Sequence, residues 1–452
     1  MIFQSINPND QSLVAEHEVM TDKQVQQALD KAEHAFTSWK TTSFTHRADL
    51  MHKVAAVLRE KKEYYARLIT SEMGKVLKES LGEVEKSAGN CDYYAENAER
   101  FLGEEPIASE AHRSSIVFDP MGCVFAIMPW NFPFWQVLRY SAKALMAGNV
   151  TLLKHAPNVC GCSKAIAEAF EEAGFPEGVF QSVIVDVPQV EGIIAANIVQ
   201  GITFTGSEKA GAAVGALAGK HIKKSVLELG GSDAFIVLED ADVTKAAEVA
   251  VRSRMLNAGQ ACNVAKRFIA VKPVANDCLH EIEQKIKGLV QGDPLEGATD
   301  LGPLARIDLA ENLGQQLDRS ITGGAQALIH GSQHDCHVSP SLLTGVKPGQ
   351  PAFDEETFGP LAAVIEVDHE AEAIKMANHH RYGLDATLWT KDLDRAAHIA
   401  RRLEAGGVFV NTMVRSDSRF PFGGVKKSGY GRELSAYGLK EFVNIKALVI
   451  DE

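Results

Sequence analysis

The N-terminal quarter of the chain carries apolar residues at the three- and four-residue spacing that is typical of amphipathic helices. Thr21 and Asp22 can cap the first of these helices. Its apolar stripe consists of Val25, Leu29, Ala32, Phe36 and Trp39. The next stripe consists of Leu50, Val54, Val57 and Leu58. We therefore expect the first hundred residues to be helical, with both stripes packed in the core.

From about residue 115 the pattern changes to short β-rich runs that alternate with helix-like stretches. The runs cover residues 123–127, 150–154, 179–185, 202–205 and 226–229, and the helix-like stretches cover 160–173, 188–196 and 208–219. A second series has β-rich runs at 234–238, 268–271, 362–367, 387–390 and 408–411, with helices over 242–257, from 277, near 370–378 and near 392–404. This alternation predicts two parallel α/β sheets in series, joined near Gly230 and Gly231.

Composition limits the possible functions. The 452 residues include 46 Lys and Arg against 59 Asp and Glu, a formal charge of −13, with 45% apolar residues. An acidic chain of this kind lacks the electropositive surface that nucleic acids and anionic membranes require. We therefore expect neither as a partner.

The cysteines and the apolar segments add further limits. The seven cysteines lack the paired spacing of a disulfide framework or zinc site, and Cys160 and Cys162 beside His155 would point to different faces of a helix start. We expect no metal. The N-terminus has no basic and apolar leader, and prolines interrupt the longest apolar stretch, residues 120–138. A cytoplasmic location is the expectation.

Three segments carry candidate chemistry. Cys262 follows a Gly-containing turn between a helix and a strand, where a thiolate would be a strong nucleophile. Glu228 ends a predicted strand in an apolar setting that should raise its pKa and make it a usable base. Asn131 lies between Pro129 and Pro133, which would hold its amide rigidly. Taken singly, each could also be structural: a core cysteine, a capped carboxylate or an Asx turn.

A fourth segment is a candidate phosphate site. Gly206 and Ser207 end a predicted strand and open a helix, whose free amides could bind a pyrophosphate. The segment does not match the G-x-G-x-x-G fingerprint.

Together these segments resemble the aldehyde dehydrogenase family over nearly the whole chain. The matching motifs, in order, are PWNFP at 129–133, AGN at 147–149, Lys154, FTGS at 204–207, ELGG at 228–231, GQAC at 259–262, EETFGP at 355–360, PFGG at 421–424 and KKSGYGRE at 426–433. Within the family the chain is most similar to bacterial succinate-semialdehyde dehydrogenases.

The resemblance implies a mechanism. Cys262 would attack the aldehyde, and the Asn131 amide and the Cys262 backbone N–H would hold the oxyanion. After hydride transfer to the nicotinamide, Glu228 would activate water to hydrolyse the thioester. The implied product is a carboxylic acid, most simply succinate from succinate semialdehyde.

The resemblance also implies the cofactor residues. They are Trp130, Lys154, Gly206, Ser207, Gly230, Glu356 and Phe358. Members selective for NAD usually carry a glutamate three residues after the lysine, where this chain has Pro157. Without that repulsive carboxylate NADP should be tolerated, so we expect NAD or NADP.

Arginines suggest the substrate class. Arg139 matches an arginine that binds the distal carboxylate of the substrate in succinate-semialdehyde dehydrogenases. These enzymes often have a second arginine six residues before the cysteine, where this chain has Leu256. Arg254, or Arg415 beside Ser416, could replace it, with Arg419 as a further candidate. We expect an aldehyde with a carboxylate tail, although a surface role for Arg139 stays open.

The resemblance further implies domain bounds and assembly. We expect a nucleotide-binding Rossmann-type domain at 1–229 with oligomerisation strands near 105–122, a catalytic domain at 230–424, and a C-terminal return and oligomerisation segment at 425–452. The β-like runs 115–118 and 447–450 are the expected subunit edges, in a homodimer or homotetramer.

Other functions stay open at this point. Related enzymes acylate coenzyme A but commonly lack a carboxylate at the position of Glu228. Another ω-carboxylate or aliphatic aldehyde could be the substrate. A non-catalytic nucleotide-binding protein would have no need of Cys262 together with Glu228. A cysteine hydrolase would need a histidine partner, and His280 is the nearest in sequence.

Overall fold

The computed structural model describes residues 1–451, which form a mixed α/β fold. The helices are α1 (Asp22–Trp39), α2 (Phe44–Glu60), α3 (Lys62–Met73), α4 (Leu77–Phe101), α5 (Trp135–Met146), α6 (Cys160–Glu172), α7 (Val187–Ala195), α8 (Glu208–Lys220), α9 (Val243–Met255), α10 (Lys272–Lys287), α11 (Ile307–Thr322), α12 (Pro351–Asp354), α13 (Glu370–Asn378), α14 (Leu393–Ala400) and α15 (Ser435–Leu439). Short 3₁₀ turns cover Pro157–Val159, Leu256–Gly259 and Lys440–Phe442.

The strands build several separate sheets. They are β1 (Ile2–Ile6), β2 (Leu13–Glu18), β3 (Glu105–Pro106), β4 (Arg113–Pro120), β5 (Cys123–Met128), β6 (Val150–His155), β7 (Phe180–Ser182), β8 (Val199–Thr205), β9 (Lys224–Glu228), β10 (Asp233–Val237), β11 (Ala265–Val271), β12 (Gln326–Ile329), β13 (Gln333–His334), β14 (His337–Val338), β15 (Ser341–Thr344), β16 (Leu361–Val367), β17 (Tyr382–Gly383), β18 (Asp385–Trp389), β19 (Gly407–Val410), β20 (Val425–Lys426), β21 (Gly429–Tyr430) and β22 (Val443–Ile450).

The first large sheet has six strands in the order β21-β9-β8-β5-β6-β7. All neighbours are parallel except β21, which returns from the C-terminal part of the chain and pairs antiparallel with β9. The predicted α/β alternation is therefore confirmed here, with one correction. The run 179–185 forms only the three-residue strand β7, after which the backbone leaves the sheet.

The second large sheet has seven strands in the order β12-β15-β16-β11-β10-β18-β19, all parallel except β12. It has its own apolar core, and Gly230 and Gly231 lie between the last long strand of the first sheet and the first strand of the second. The predicted domain bounds themselves stay a prediction. The sequence pattern predicts no elements where α11, β12 and β15 lie, and it places the start of α10 five residues after the observed one.

The N-terminal segment differs from the expectation. Residues before α1 form the antiparallel hairpin β1–β2 and not a helix. The Thr21 cap is confirmed, because its side chain accepts from the Gln24 backbone N–H while the Gln24 side chain accepts from the Thr21 backbone. Trp39 is buried in the core as expected, whereas Phe36 only packs against its margin.

A third sheet of three strands has the order β22-β4-β3. The two predicted subunit edges, in β4 and β22, pair with each other along eight residues of this chain. Ile445, Val449 and Ile450 on β22 remain exposed.

The sheet order places the candidate residues together. Strands β9, β8 and β5 are consecutive neighbours, so their carboxyl ends lie at one edge of the first sheet. Glu228 is paired with Thr205 at that edge, and the segment with Asn131 follows β5. Cys262 lies just before β11, at the facing edge of the second sheet. Among residues 1–451, no helix is long and apolar enough to cross a membrane.

Candidate active site

Cys262 is half-buried and lies where two cavities meet. One cavity has a volume of about 370 Å³ and is lined by Pro129, Trp130, Asn131, Gln136, Thr205, Gly206, Ser207, Leu229, Gly230, Cys262, Arg306, Leu309, Glu356 and Phe358. The other has a volume of about 250 Å³ and is lined by Lys86, Phe132, Trp135, Gln136, Arg139, Arg252, Leu256, Cys262, Asn263, Thr412, Met413, Val414, Arg415, Ser416 and Phe422. We call them the cofactor-side cavity and the substrate-side cavity. A thiol at their junction can be approached from both.

An unusual turn presents the cysteine. After α9 ends, Asn257, Ala258 and Gly259 follow in left-handed conformations, with φ of 52°, 52° and 78°. A Cβ on Gly259 would lie 2.4 Å from the Gly359 carbonyl oxygen, so only glycine fits there. Non-glycine residues adopt this region at a cost, which the surrounding contacts must offset. The chain thus maintains a strained backbone at Asn257 and Ala258, a few residues before Cys262.

The amide of Asn131 is fixed against this turn. Its Nδ2 donates to the Gln260 carbonyl oxygen at 2.9 Å, and Asn257 Nδ2 donates to the Asn131 carbonyl oxygen at 2.8 Å. A primary amide carries two N–H groups, so one remains for a ligand oxygen. Asn131 lines the cofactor-side cavity together with Cys262, as an oxyanion donor must.

The thiol itself is poorly ionised. Burial raises the pKa of Cys262 to about 12, against the opposing charges of Lys266 and Arg139. The resting group is therefore a thiol, and its proton must be removed before it attacks a carbonyl.

Glu228 has the properties of a tuned base. Burial raises its pKa to about 8, and the charge of Arg139 opposes this shift. The carboxyl group is 2% exposed, and neither of its oxygens has a hydrogen-bond partner within the described chain. Glu228 does not line either cavity: it lies beside Gly423, where an added Cβ would be 2.6 Å from Oε1.

Glu356, Phe358 and Trp130 form one wall of the cofactor-side cavity. The rings of Trp130 and Phe358 meet edge to face with centroids 5.7 Å apart. Glu356 Oε1 accepts from the Gly231 backbone N–H at 3.0 Å. A Cβ on Gly230 would lie 2.3 Å from Glu356 Oε2, so glycine keeps this wall open.

Gly206 and Ser207 lie in the same cavity at the start of α8. Ser207 caps that helix by accepting from the Ala210 backbone N–H at 3.3 Å. The free amides at a helix N-terminus favour an anion. Lys154, at the carboxyl end of β6, does not line the cavity but lies one strand away, and burial lowers its pKa.

Arg139 lines the substrate-side cavity and is 2% exposed. Its guanidinium donates to Thr205 Oγ1 at 3.1 Å and lies 5.0 Å from the centre of the Phe422 ring. Arg415 and Ser416 line the same cavity. A surface role for Arg139 is thus wrong.

Arg254 is placed differently from the expectation. It is fully buried and lines neither cavity. Its guanidinium donates to the carbonyl oxygens of Leu361 at 2.7 Å and Thr357 at 2.9 Å, and also to that of Gly359. These contacts hold the loop that carries Glu356 and Phe358, so the geometry does not support substrate binding by Arg254. Arg419 pairs with Asp417 and does not line the cavity either.

Sequence reasoning missed Lys266. Its buried ammonium donates to the carbonyl oxygens of Gly231 at 2.6 Å and Cys262 at 2.9 Å, and to Glu356 Oε1 at 2.8 Å. The signal was present, because two cations within the apolar strand β11 require buried partners. Lys86, Gln136 and Thr205 were also missed, since only the folded chain brings them to the cavities.

The chain is similar to known proteins along its whole length. A family model described as the aldehyde dehydrogenase family matches residues 1–448. A probable succinate-semialdehyde dehydrogenase (NADP+) from Synechocystis sp. is 44% identical over 453 aligned positions, covering 100% of both chains. A succinate semialdehyde dehydrogenase (NAD(P)+) from Escherichia coli is 43% identical, covering 94% of this chain and 92% of that one.

Solved structures are similar along the whole chain. A succinic semialdehyde dehydrogenase from Streptococcus pyogenes, in complex with NADP+, superposes with a TM-score of 0.97 at 34% identity, covering 100% of both chains.

Proposed function

The chain belongs to the aldehyde dehydrogenase family, and we propose that it oxidises succinate semialdehyde to succinate with NAD or NADP as electron acceptor. The choice of substrate rests on the substrate-side cavity, which is lined by Cys262 and four cationic side chains and by no acidic one. The relatives named for succinate semialdehyde support the same choice.

Cys262 is the nucleophile of this proposal. Its thiol passes its proton to a water molecule in the cavity, the sulfur forms a bond to the aldehyde carbon, and the carbonyl electron pair moves to oxygen. The remaining N–H of the Asn131 amide and the backbone N–H of Cys262 stabilise that oxyanion. The hydrogen bond from Asn131 to Gln260 fixes the amide before substrate arrives, so no reorganisation is needed during the attack.

The cofactor-side cavity suits a nicotinamide nucleotide. Gly230 leaves open the space in front of the Glu356 carboxylate, and the N-terminus of α8 offers amides for the pyrophosphate. Glu356, Phe358 and Trp130 would hold the nicotinamide end, Gly206 and Ser207 the phosphates, and Lys154 the adenosine ribose. A bound nicotinamide nucleotide supplies the two-electron oxidant for the thiohemiacetal carbon.

Glu228 is the base that activates water for thioester hydrolysis. A carboxyl group with a pKa of about 8 accepts a proton from water more readily than an ordinary glutamate does. The role requires the side chain to turn from Gly423 towards Cys262. Neither oxygen is held by a hydrogen bond in the described chain, so this movement breaks none.

NADP is included because Pro157 is exposed three residues after Lys154, where a carboxylate would repel a 2′-phosphate.

A homo-oligomer, dimer or tetramer, is also part of the proposal. The exposed apolar residues of β22 at the edge of the third sheet favour pairing with a second copy. Seven free thiols favour a cytoplasmic location.

Specific observations weigh against the rival functions. Transfer of the acyl group to coenzyme A would leave the tuned Glu228 without a role. A cysteine hydrolase would need a histidine at Cys262, and none lines either of the two cavities. Other ω-carboxylate aldehydes fit the same cations and are separated from succinate semialdehyde only by experiment.

The test is a substrate screen with the purified full chain, following nicotinamide absorbance. It compares succinate semialdehyde, glutarate semialdehyde, a long aliphatic aldehyde and an aromatic aldehyde, with each coenzyme and with or without coenzyme A. We expect the highest kcat/KM with succinate semialdehyde and no dependence on coenzyme A. Reduction that requires coenzyme A, or no reduction with any aldehyde, would overturn the proposal.

A further inference from the structure

We propose that Lys86 is a further specificity-determining residue, which binds the distal carboxylate of the substrate together with Arg139. This inference rests on the proposed function, because it assumes an aldehyde with an anionic end. Lys86 lies on α4, a helix that contains none of the motifs shared with the family.

The fold places Lys86 opposite Arg139. Lys86 lies on α4 and Arg139 on α5, and both side chains line the substrate-side cavity that ends at Cys262. The Lys86 ammonium donates to Ser416 Oγ at 2.7 Å and lies 3.9 Å from the centre of the Trp135 ring. The ammonium is therefore held at the wall of the cavity by a hydroxyl and an aromatic face.

No carboxylate lines this cavity. Lys86, Arg139, Arg252 and Arg415 line it without any Asp or Glu, although the chain as a whole carries −13. Within residues 1–451, neither Lys86 nor Arg139 forms an ion pair, and each donates to a neutral hydroxyl. Arg139 is buried without a counterion, which is unfavourable, whereas the Lys86 side chain reaches solvent. An anionic ligand between the two would neutralise the buried charge.

The ionisation of Lys86 agrees with this arrangement. Partial desolvation of the ammonium, followed by the charge of Arg139, lowers the pKa of Lys86, although the side chain reaches solvent, while Glu83 and Asp417 act in the opposite direction. A carboxylate that arrives between the two cations would favour the charged ammonium.

A carboxylate also has enough acceptor oxygens to bind both groups. Its two oxygens can accept from a guanidinium and from an ammonium at the same time. A neutral aldehyde of equal length offers neither acceptor, so Lys86 would discriminate between them. The Ser416 hydroxyl, which now accepts from Lys86, can turn to donate to the same carboxylate.

The test compares Lys86→Met with the unmodified enzyme on succinate semialdehyde and on butanal. Methionine keeps the length and the contact with Trp135 but removes the charge. We expect KM for succinate semialdehyde to rise about tenfold or more, because a hydrogen bond to a charged group is worth at least one such step. KM for butanal, and kcat for both, should change little. Lys86→Arg should restore part of the affinity, and Lys53→Met, at an exposed lysine of α2, is the matched control.

Equal changes in KM for both aldehydes, or no change for either, would overturn the role of Lys86. If the unmodified enzyme itself shows no preference for succinate semialdehyde over butanal, the proposed substrate fails instead. Lys86 is then tested by the inhibition of butanal oxidation by succinate. A higher inhibition constant in Lys86→Met supports an anion site at Lys86, and an unchanged constant excludes it.

Discussion

Lys266 and Glu356 form a partly buried ion pair, with 2.8 Å between Nζ and Oε1. The same ammonium donates to the carbonyl oxygen of Cys262 at 2.9 Å. One cation therefore joins the backbone of the nucleophile to the carboxylate that is proposed to hold the nicotinamide end of the cofactor. Its charge also opposes the effect of burial on the pKa of the Cys262 thiol.

Replacing Lys266 by methionine should weaken the nucleophile and the cofactor site together. Without the positive charge the pKa of Cys262 rises further, so alkylation by iodoacetamide at a fixed neutral pH becomes slower. Glu356 loses its partner, and KM for the nicotinamide nucleotide increases. The measurement is the pH profile of alkylation together with KM for coenzyme. Lys272→Met, at an exposed lysine just after the same strand, is the control. An alkylation profile identical to that of the unmodified enzyme would contradict the role of Lys266.

The raised pKa of Glu228 predicts the pH dependence of turnover. A base works only when it is deprotonated, so hydrolysis of the thioester should accelerate as pH rises through about 8 and then level off. Glu228→Gln removes the titrating group without changing the shape of the side chain. The variant should keep a burst of nicotinamide reduction, while its steady-state rate falls about 10²- to 10⁴-fold. Stopped-flow absorbance between acidic and alkaline pH measures both quantities. Full steady-state turnover in the variant would exclude Glu228 as the base.

The α/β part of the fold could be predicted from the sequence because its strands are buried on both faces and alternate with amphipathic helices. The hairpin β1–β2 could not, because Ile2, Leu13 and Val14 are exposed and give no clear apolar face. The length of β7 was predicted too long for the opposite reason. Residues 183–185 are buried and apolar but leave the sheet, and hydrophobicity alone does not distinguish strand from buried loop.

The site was predictable where a local motif carried it, as for Asn131 and Cys262. Arg254 shows where local motifs are insufficient. It lies two residues before the position at which related enzymes carry an arginine, but its side chain points to carbonyl oxygens of a loop more than one hundred residues later. Lys86 and Lys266 could not be predicted from local motifs either. Their roles come from partners that only the folded chain brings near them.

Arg139→Met should reduce selectivity for an anionic aldehyde. Loss of a guanidinium hydrogen bond to a carboxylate corresponds to about 1.5–3 kcal/mol, so KM for succinate semialdehyde should rise at least about tenfold relative to butanal. Arg139 also lowers the pKa of Glu228, so the rise of turnover with pH should move to higher pH in the variant. Steady-state kinetics of the two aldehydes across pH measure both effects. The carboxylate role fails if both KM values change by the same factor.

Arg254→Met should have the opposite profile, namely lower stability without altered selectivity. The change removes the guanidinium donor from the buried carbonyl oxygens of Leu361 and Thr357, which costs about 3 kcal/mol or more in the free energy of unfolding. The loop with Glu356 and Phe358 loosens, and kcat/KM for charged and neutral aldehydes should fall by similar factors. Thermal unfolding and the two-aldehyde comparison provide the readouts, with Lys245→Met at an exposed lysine of α9 as control. A selective loss with succinate semialdehyde would instead restore Arg254 as a substrate residue.

Pro157→Glu should convert a coenzyme-tolerant enzyme into one that discriminates against NADP. Pro157 is exposed at the first position of the 3₁₀ turn after β6, three residues from Lys154. A carboxylate there would accept from the ribose hydroxyls of NAD and would repel a 2′-phosphate. KM for NADP should therefore increase about tenfold or more, since like charges placed together cost at least one such step, while KM for NAD stays level or falls. Pro157→Gln separates charge from the loss of the proline ring, because it has the size of glutamate and no charge. If the glutamine variant discriminates as strongly as the glutamate variant, the turn geometry and not the missing carboxylate sets the coenzyme choice.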